Sequence, residues 1–130
     1  MSSAGVPGVV ETVEEHGETT LVVDPARTSV LLGLHRKVGL WLQFGGHVEP
    51  SDASLPDAAL REALEESGLT TIALVDRRPL RLDRHRAPCG ARYHLDVQLL
   101  GVADPDEPVA VSEESLAVQW FDVDDLPEHT

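Results

Sequence analysis

The hydrophobic positions of this 130-residue chain come in short runs, a pattern that predicts several β-strands. Apolar runs of strand length lie at residues 19–24, 29–36, 40–44, 71–76 and 117–123. The clearest alternation is in Arg92–Leu100, where every second residue is apolar and the residues between are polar. The glycine pair Gly45-Gly46 is expected to break the third of these runs.

One segment, residues 54–68, has the pattern of a helix. Ser54 and Asp57 fit a capping box, with Asp in the place that Glu or Gln usually holds, and Pro56 is tolerated in a first turn. Residues 58–66 consist almost wholly of strong helix formers, and Gly68 is a natural stop. The sequence therefore predicts one well-capped helix in the middle of the chain.

The chain is organised most simply as one domain. Residues 1–18 are polar, rich in Glu and weakly patterned, so we expect a tail or a first edge element there and a single domain over residues 19–130. Strands around one strong helix predict an α+β fold with α/β/α sandwich layers. Residues 124–130 look like the start of a helix that the chain does not continue.

Composition narrows the partners. With 23 acidic and ten basic residues the net charge is −13, which argues against a nucleic-acid polymer or an anionic membrane as the main partner. The chain has no apolar run near the roughly 18 residues of a membrane span. Its start lacks the basic and apolar regions of a signal peptide, and the lone Cys89, taken as an incidental thiol, cannot form an internal disulfide. Together these features favour a cytoplasmic location.

The few cations are unevenly placed. Six of the ten fall within sixteen residues: Arg77, Arg78, Arg81, Arg84, Arg86 and Arg92. One interpretation is a solvated hairpin, because runs of charge usually face water. The other is a site for a small phosphorylated ligand, since the guanidinium fork matches phosphate oxygens. The sequence leaves both open.

The segment Gly45–Leu69 crowds six carboxylates around one cation, Arg61. Three of the six share one face of the predicted helix, opposite an apolar stripe: Glu62, Glu65 and Glu66. Carboxylates at this spacing offer hard oxygen ligands that suit Mg²⁺ or Mn²⁺. A solvated acidic face is the alternative, but the cation beside the glutamates and the flexible glycine pair upstream favour a ligand site.

This segment resembles the Nudix box, the signature of hydrolases that cleave a nucleoside diphosphate linked to another group. The chain reads Gly46, five residues, Asp52, eight residues, and then REALEESGL from Arg61. That second half matches the family pattern at every fixed position, with Ala63 in the first aliphatic place. Three features depart from the pattern: Asp52 stands where Glu is usual, one extra residue precedes Arg61, and Phe44 replaces a common Pro.

The resemblance continues through LWLQFGGHVEP and VQWFDVDDLP, so it covers most of residues 19–128. It implies a Nudix-like mixed sheet with the catalytic helix packed on it. The C-terminal helix that usually follows the last motif in this family is expected to be short or absent here.

The resemblance also implies roles for single residues. Glu65 and Glu66 are expected to ligate Mg²⁺ or Mn²⁺ with the main-chain carbonyl of Gly45. Glu62 is expected to be a further ligand or the base that deprotonates water, with Arg61 orienting it. A further base or ligand is expected from the loop before the last strand, as Glu114 or its neighbour Glu113. The extra residue before the helix leaves the role of Asp52 open.

Two polar residues of one strand face, Arg92 and His94, are candidates for binding the substrate, although a lone His there also fits a structural role. Trp41 and Trp120 fit the core better than base stacking. His35 and His47 receive no role.

The resulting hypothesis is a Mg²⁺-dependent hydrolase that cuts a pyrophosphate bond by water attack. Its substrate would be a small phosphorylated molecule, either a nucleotide or a nucleotide-sugar, and a homodimer is possible because dimers are frequent among relatives. One alternative is a non-catalytic Nudix-like module that senses a nucleotide metabolite, although retention of the full set of charged box residues argues against it. Another is an acidic interaction protein, which leaves the glycine pair unexplained.

Overall fold

The computed structural model of the protein describes residues 13–86 and 93–128, and the side chains of residues 17–82 and 97–128. Within these residues, eight strands form one mixed sheet against which a single helix packs. The strands are β1 (Val13–Val23), β2 (Ser29–His35), β3 (Trp41–Leu42), β4 (Phe44–His47), β5 (Ala73–Leu74), β6 (Arg81–Arg86), β7 (Tyr93–Val102) and β8 (Ser115–Asp122), and the helix is α1 (Leu55–Ser67). This arrangement confirms the predicted mixed sheet with one helix packed on it.

Strand β1 lies at the centre of the sheet. It pairs antiparallel with β2 and β4 along one edge and parallel with β7 along the other. The sequence places the start of this strand at residue 19, but it begins at Val13, because its polar first half is held by main-chain pairing with β7 rather than by apolar side chains. The strand thus runs across the expected boundary at residue 19, and the division into a tail and a domain stays a prediction.

The glycine pair lies inside β4 instead of ending a strand. Gly45 pairs with Thr19 and Gly46 pairs with Glu18, so β4 continues to His47. Ladder hydrogen bonds need no side chain, which is why glycines can stay in the strand. At Gly45 a side chain is also excluded, since a Cβ there would overlap the main-chain oxygen of Glu18.

Helix α1 begins and ends as its sequence predicts. The Ser54 hydroxyl accepts a hydrogen bond from the Asp57 amide at 3.2 Å, and Pro56 lies in the first turn. The helix stops at Gly68, whose φ of 77° is left-handed and whose amide donates to the Leu64 carbonyl at 3.1 Å. Its small buried residues let it approach the sheet closely: Ala58, Ala59 and Ala63.

The core lies between this helix face and the sheet. Its buried members come from β1, β2, β4, α1, the connection between α1 and β5, and the residue after β7. They are Val22, Leu31, Phe44, Ala63, Leu69, Ile72 and Ala103. Burying apolar side chains of this kind stabilises a fold by roughly 1.5–3 kcal/mol each. Docking on this core fixes the direction of the opposite, acidic helix face.

The edges of the sheet differ most from expectation. Strand β5 spans two residues where six were predicted, and β6 pairs antiparallel with β7 where no strand was predicted. The pairing fits the interpretation of the arginine-rich segment as a hairpin. Arg81 at the start of β6 is exposed, whereas Arg92 lies outside the described residues.

After β8, residues 123–128 form turns, with no helix in that described stretch, in agreement with the expectation of a short or absent C-terminal helix. Of the helices that can be searched in residues 13–86 and 93–128, none has the length and apolar character needed to cross a membrane.

Candidate metal centre

Three predicted carboxylates meet at one point. Glu62 and Glu66 are one turn apart on α1, and Glu114 comes from the loop before β8. One oxygen from each side chain lies within 4.8 Å of the other two. The geometry therefore joins the helix to a loop that is distant in sequence.

Hydrogen bonds to main-chain atoms of that loop hold it in place. The Arg36 amide donates to the Glu114 carbonyl at 2.9 Å, and Arg36 Nε donates to the Glu113 carbonyl at 2.9 Å. Within the loop, the Glu114 amide donates to Ser112 Oγ at 3.2 Å. Arg36, the residue that follows β2, thus anchors the loop, and the Glu114 side chain is left exposed.

Glu66 is the buried member of the cluster, with 8% of its surface exposed. Its Oε2 atom is buried without a hydrogen-bond partner among the described residues. Burial raises the pKa of Glu66, and hydrogen bonding with Glu62 and the charge of Glu114 raise it further. An unpaired buried carboxylate oxygen is costly, and a bound cation would offset that cost.

Arg61 is held in a fixed orientation beside the cluster. Its Nε and Nη2 atoms donate to the two carboxylate oxygens of Asp52, each at 2.9 Å. This pairing raises the pKa of Arg61 and lowers that of Asp52. Asp52 also accepts from the Glu49 amide at 2.8 Å, so the loop that contains the extra residue is tied to the arginine.

The remaining guanidinium nitrogen of Arg61 faces the helix glutamates. Nη1 donates to Glu62 Oε1 at 2.7 Å and to Glu65 Oε1 at 3.3 Å. Arg61 therefore connects Asp52 to Glu62, which gives Asp52 a clear structural role that the sequence left open.

Glu65 is not among the three converging side chains. Its side chain is 62% exposed and lies at the rim of an acidic cavity of about 360 Å³. We call this the acidic cavity; its lining is Glu49, Glu62, Glu65, Glu66, Ser112, Glu113 and Glu114. The Gly45 amide, in β4, lowers the pKa of Glu66 against the larger effect of burial.

The two predicted substrate residues are described only in part. Arg92 lies outside the described residues, and for His94 only the strand position in β7 is described. Trp120 packs against the core, as expected. Trp41 meets Phe121 edge to face, with ring centroids 4.8 Å apart.

Trp41 also lines an apolar cavity of about 630 Å³ on the sheet face opposite α1. Its β1 residues, Thr19, Leu21 and Val23, alternate with those that face the helix. We call this the apolar cavity; its other lining residues are Val30, Leu32, Trp41, Leu42, Gln43, Val123 and Leu126. Among these lining residues the sequence offers a ligand-binding role only for Trp41, and even there it favours a place in the core.

A smaller cavity of about 350 Å³ adjoins it, sharing Thr19. We call this the middle cavity. Its lining includes Gly46, His47, Arg81 and Gln98, and the Gln98 amide donates to Gln43 Oε1 at 2.6 Å where the two cavities meet.

Sequence reasoning missed Glu18, a buried residue of β1. Burial raises the pKa of Glu18 to about 7, and the nearby Glu62 carboxylate adds to the rise. The signal was present: strand alternation places Glu18 on the same face as Val22. The buried position of Glu18 is not predicted, because residue 18 falls in the segment expected to be a tail or a first edge element.

The donor set fits Mg²⁺ or Mn²⁺. It offers carboxylate oxygens, the ligands that these cations prefer, and one of them is buried without a partner. Gly46 leaves room for the Glu62 carboxylate of this set, since a Cβ on Gly46 would lie 2.7 Å from Glu62 Oε2.

Comparison with known proteins agrees with this geometry. Residues 8–130 match the NUDIX domain family. The chain is 36% identical over 110 residues to an oxidized purine nucleoside triphosphate hydrolase of Danio rerio, and 33% identical to the Mus musculus protein of the same name. Each alignment covers 82% of this chain and 65% of the relative, so the chain spans about two thirds of the length of these relatives.

Solved structures give the same fold. A MutT NUDIX hydrolase from Burkholderia pseudomallei is 25% identical with a TM-score of 0.67, and the match covers 88% of this chain and 87% of that one. A C. elegans Ap4A hydrolase is 18% identical with a TM-score of 0.69, over 85% of this chain and 82% of that one.

Proposed function

The chain belongs to the NUDIX domain family, and from this premise we propose that it hydrolyses the pyrophosphate bond of a nucleoside diphosphate linked to another moiety, using Mg²⁺ or Mn²⁺. The observation that carries this proposal is the convergence of Glu62, Glu66 and Glu114 within 4.8 Å. The buried, unpartnered oxygen of Glu66 supports it, because a purely structural helix face would have no reason to retain such an atom.

Glu62, Glu66 and Glu114 would hold the cation, and the Gly45 carbonyl would be a further ligand. Glu65 contributes from the rim of the acidic cavity, where Arg61 restrains it. When bound, the cation polarises a phosphoryl oxygen and lowers the pKa of water. It also compensates the negative charge that would otherwise repel an anionic substrate.

The base that takes a proton from the attacking water is Glu114 in this proposal. Glu62 is held by Arg61 at 2.7 Å, whereas the Glu114 side chain is exposed at the mouth of the acidic cavity. Arg61, fixed by Asp52, keeps Glu62 in position. Replacing Glu114 by Gln should lower turnover far more than the matched Glu113→Gln, because Glu113 is not among the converging side chains.

The substrate is a nucleoside triphosphate whose base enters the apolar cavity. The volume of about 630 Å³ suits a small ligand, and Trp41 offers an aromatic surface for a base. The middle cavity leads from Thr19 to Gly46, beside Glu62, and Arg81 lines it, so the phosphates can pass from the base site toward the cation. The names of the two vertebrate relatives support a purine triphosphate.

The test is release of phosphate or pyrophosphate from a panel of nucleoside triphosphates, oxidized purine triphosphates, dinucleoside polyphosphates and nucleotide-sugars, with Mg²⁺, Mn²⁺ or EDTA. We compare wild type with Glu66→Gln and with Asp106→Asn, a control that removes one exposed charge elsewhere. Turnover of a triphosphate that EDTA and Glu66→Gln abolish, but Asp106→Asn does not, is the expected result. Saturable binding without turnover would instead favour the sensor hypothesis.

A further inference from the structure

Glu18 occupies a position in the centre of the sheet, on the face that packs against α1. The residues two and four positions further along β1 show which face this is: the Thr20 hydroxyl donates to the Ala59 carbonyl of the helix at 3.3 Å, and Val22 is in the core. Side chains alternate along a strand, so the Glu18 side chain points to the same side. It therefore lies under the helix that carries the metal centre.

The Glu18 carboxylate is shielded from solvent, and the Gly46 amide lowers its pKa by less than burial raises it. The residue is 1% exposed, and both carboxylate oxygens are buried without a hydrogen-bond partner among the residues described. Burying a charged carboxylate without a partner is unfavourable, which is why such groups are normally paired or coordinate metals. An apolar residue at this position would avoid that cost.

The neighbouring strand residue is the one that leaves room for the metal centre. Gly46 pairs directly with Glu18, and a Cβ on Gly46 would lie 2.7 Å from Glu62 Oε2 and 3.0 Å from Glu62 Cδ. The missing side chain lets the Glu62 carboxylate reach the strand pair. Glu18 and Glu62 thus lie on the same side of Gly46, close enough for their charges to interact.

Arg61, the cation whose charge acts on Glu18 among the described residues, is already engaged. Arg61 uses two nitrogens for Asp52 and the third for Glu62 and Glu65, and no hydrogen bond from it reaches Glu18 within the described part of the chain. A bound cation would supply the charge compensation that these hydrogen bonds of Arg61 do not give Glu18.

We propose that Glu18 is a cation ligand, and that Glu18 and Glu62 together bind a second divalent cation on the strand side of α1. This second site is distinct from the cluster of Glu62, Glu66 and Glu114, to which Glu18 does not belong, and Glu62 is shared between the two. The inference rests on the proposed function, since it presupposes that the acidic cavity binds a divalent cation.

The test is Mn²⁺ binding to the whole chain, measured as the number of bound ions by electron paramagnetic resonance and by calorimetry. We compare wild type with Glu18→Gln, Glu66→Gln and the surface control Asp106→Asn. Glu18→Gln is expected to bind one Mn²⁺ fewer than wild type or to raise the dissociation constant of one site by roughly 10-fold or more. Asp106→Asn should match wild type.

A second readout separates a ligand from a structural residue. In EDTA, Glu18→Gln is expected to have a higher Tm than wild type, because a buried unpaired charge has been removed, while the rise in Tm on adding Mn²⁺ becomes smaller. A lower Tm than wild type in EDTA would overturn the inference. If Glu18→Gln fails to fold, Glu18→Thr, a strand former like its neighbours Thr19 and Thr20, is measured in its place with the same expectations.

The outcomes distinguish the two proposals. If wild type binds Mn²⁺ and Glu18→Gln binds the same number with unchanged affinity, the second site is absent and the proposed function stands. If wild type binds no Mn²⁺, both proposals fail. Loss of an ion in Glu66→Gln as well as in Glu18→Gln would support two sites that meet at Glu62.

Discussion

Two buried acidic residues, Glu18 within β1 and Asp24 directly after it, have opposite surroundings. Asp24 accepts hydrogen bonds from the Thr28 amide at 2.8 Å, the Thr28 hydroxyl at 3.0 Å and the Ser29 amide at 2.9 Å. Glu18 accepts none within the part of the chain that is described. Accordingly, the Ser29 and Thr28 hydrogen bonds lower the pKa of Asp24, whereas burial raises the pKa of Glu18 to about 7.

The difference separates a residue that serves the fold from residues that serve a ligand. Asp24 closes the turn between β1 and β2, and both of its carboxylate oxygens accept hydrogen bonds from residues of that turn. Glu18 and Glu66 are buried, and both carboxylate oxygens of Glu18 and one of Glu66 have no hydrogen-bond partner among the described residues. A protein tolerates local conflicts of that kind chiefly where function requires them, and changes at the two places should therefore have opposite effects.

The largest effect is expected from Glu66→Gln. Turnover should fall by about 100-fold or more, because one ligand and its charge are lost. In EDTA the Tm should rise, because the unpaired buried carboxylate is gone. Thermal unfolding and initial rates on the same preparation measure both; a fall in Tm in EDTA would show that Glu66 belongs with Asp24 as a structural residue.

Gly46→Ala is expected to come next. The new methyl group would lie 2.7 Å from Glu62 Oε2 and displace that carboxylate, lowering turnover by roughly 10-fold. Gly39→Ala is the matched control, since a Cβ there meets open space but its φ of 69° strains an alanine. The control should lose stability and keep its activity, and unchanged turnover in Gly46→Ala would contradict the proposed position of Glu62.

Asp24→Asn should have the reverse pattern, with a smaller effect. Its neutral side chain cannot match the three charge-assisted hydrogen bonds of the turn, so the Tm should fall by several degrees. Because neither Asp24 nor Thr28 lines the acidic cavity, kcat should not change. The Tm decrease should be equal in EDTA and in Mg²⁺, which differential scanning fluorimetry can test directly.

The smallest effect is a pH dependence of that same decrease. The pKa of Asp24 is lowered from 3.8 in the folded state, so its stabilisation is present above about pH 4 and lost as the pH falls through the folded value. The Tm difference between wild type and Asp24→Asn should therefore shrink below about pH 4. A difference that stays constant down to pH 3 would mean that the charge of Asp24 plays no part in the turn.

The sequence predicts helix α1 well because its signals are local. Ser54 and Gly68 act within a few residues of the helix ends, and the helical repeat alone places Glu62 and Glu66 together. Glu114 joins them only in three dimensions, so it was selected by resemblance rather than by spacing.

What the sequence did not predict depends on contacts that are distant along the chain. The first half of β1 and all of β6 are strands because they pair with β7, and their own residues lack a strong apolar pattern. Glu18 lies in that first half of β1, so its burial follows from the sequence only once the strand is extended to include it. The role of Asp52 likewise depends on how its loop folds back onto Arg61, which no local pattern encodes.

The way Arg36 holds the loop before β8 has a consequence for variation. Both of its bonds go to main-chain oxygens, those of Glu113 and Glu114, so the loop would keep its place whichever side chains stood at these two positions. Arg36 fixes the backbone of the loop, so the side chains at positions 113 and 114 can be replaced without removing these two hydrogen bonds. A laboratory that wished to retune the reaction could therefore vary residues 113 and 114 together without rebuilding the sheet.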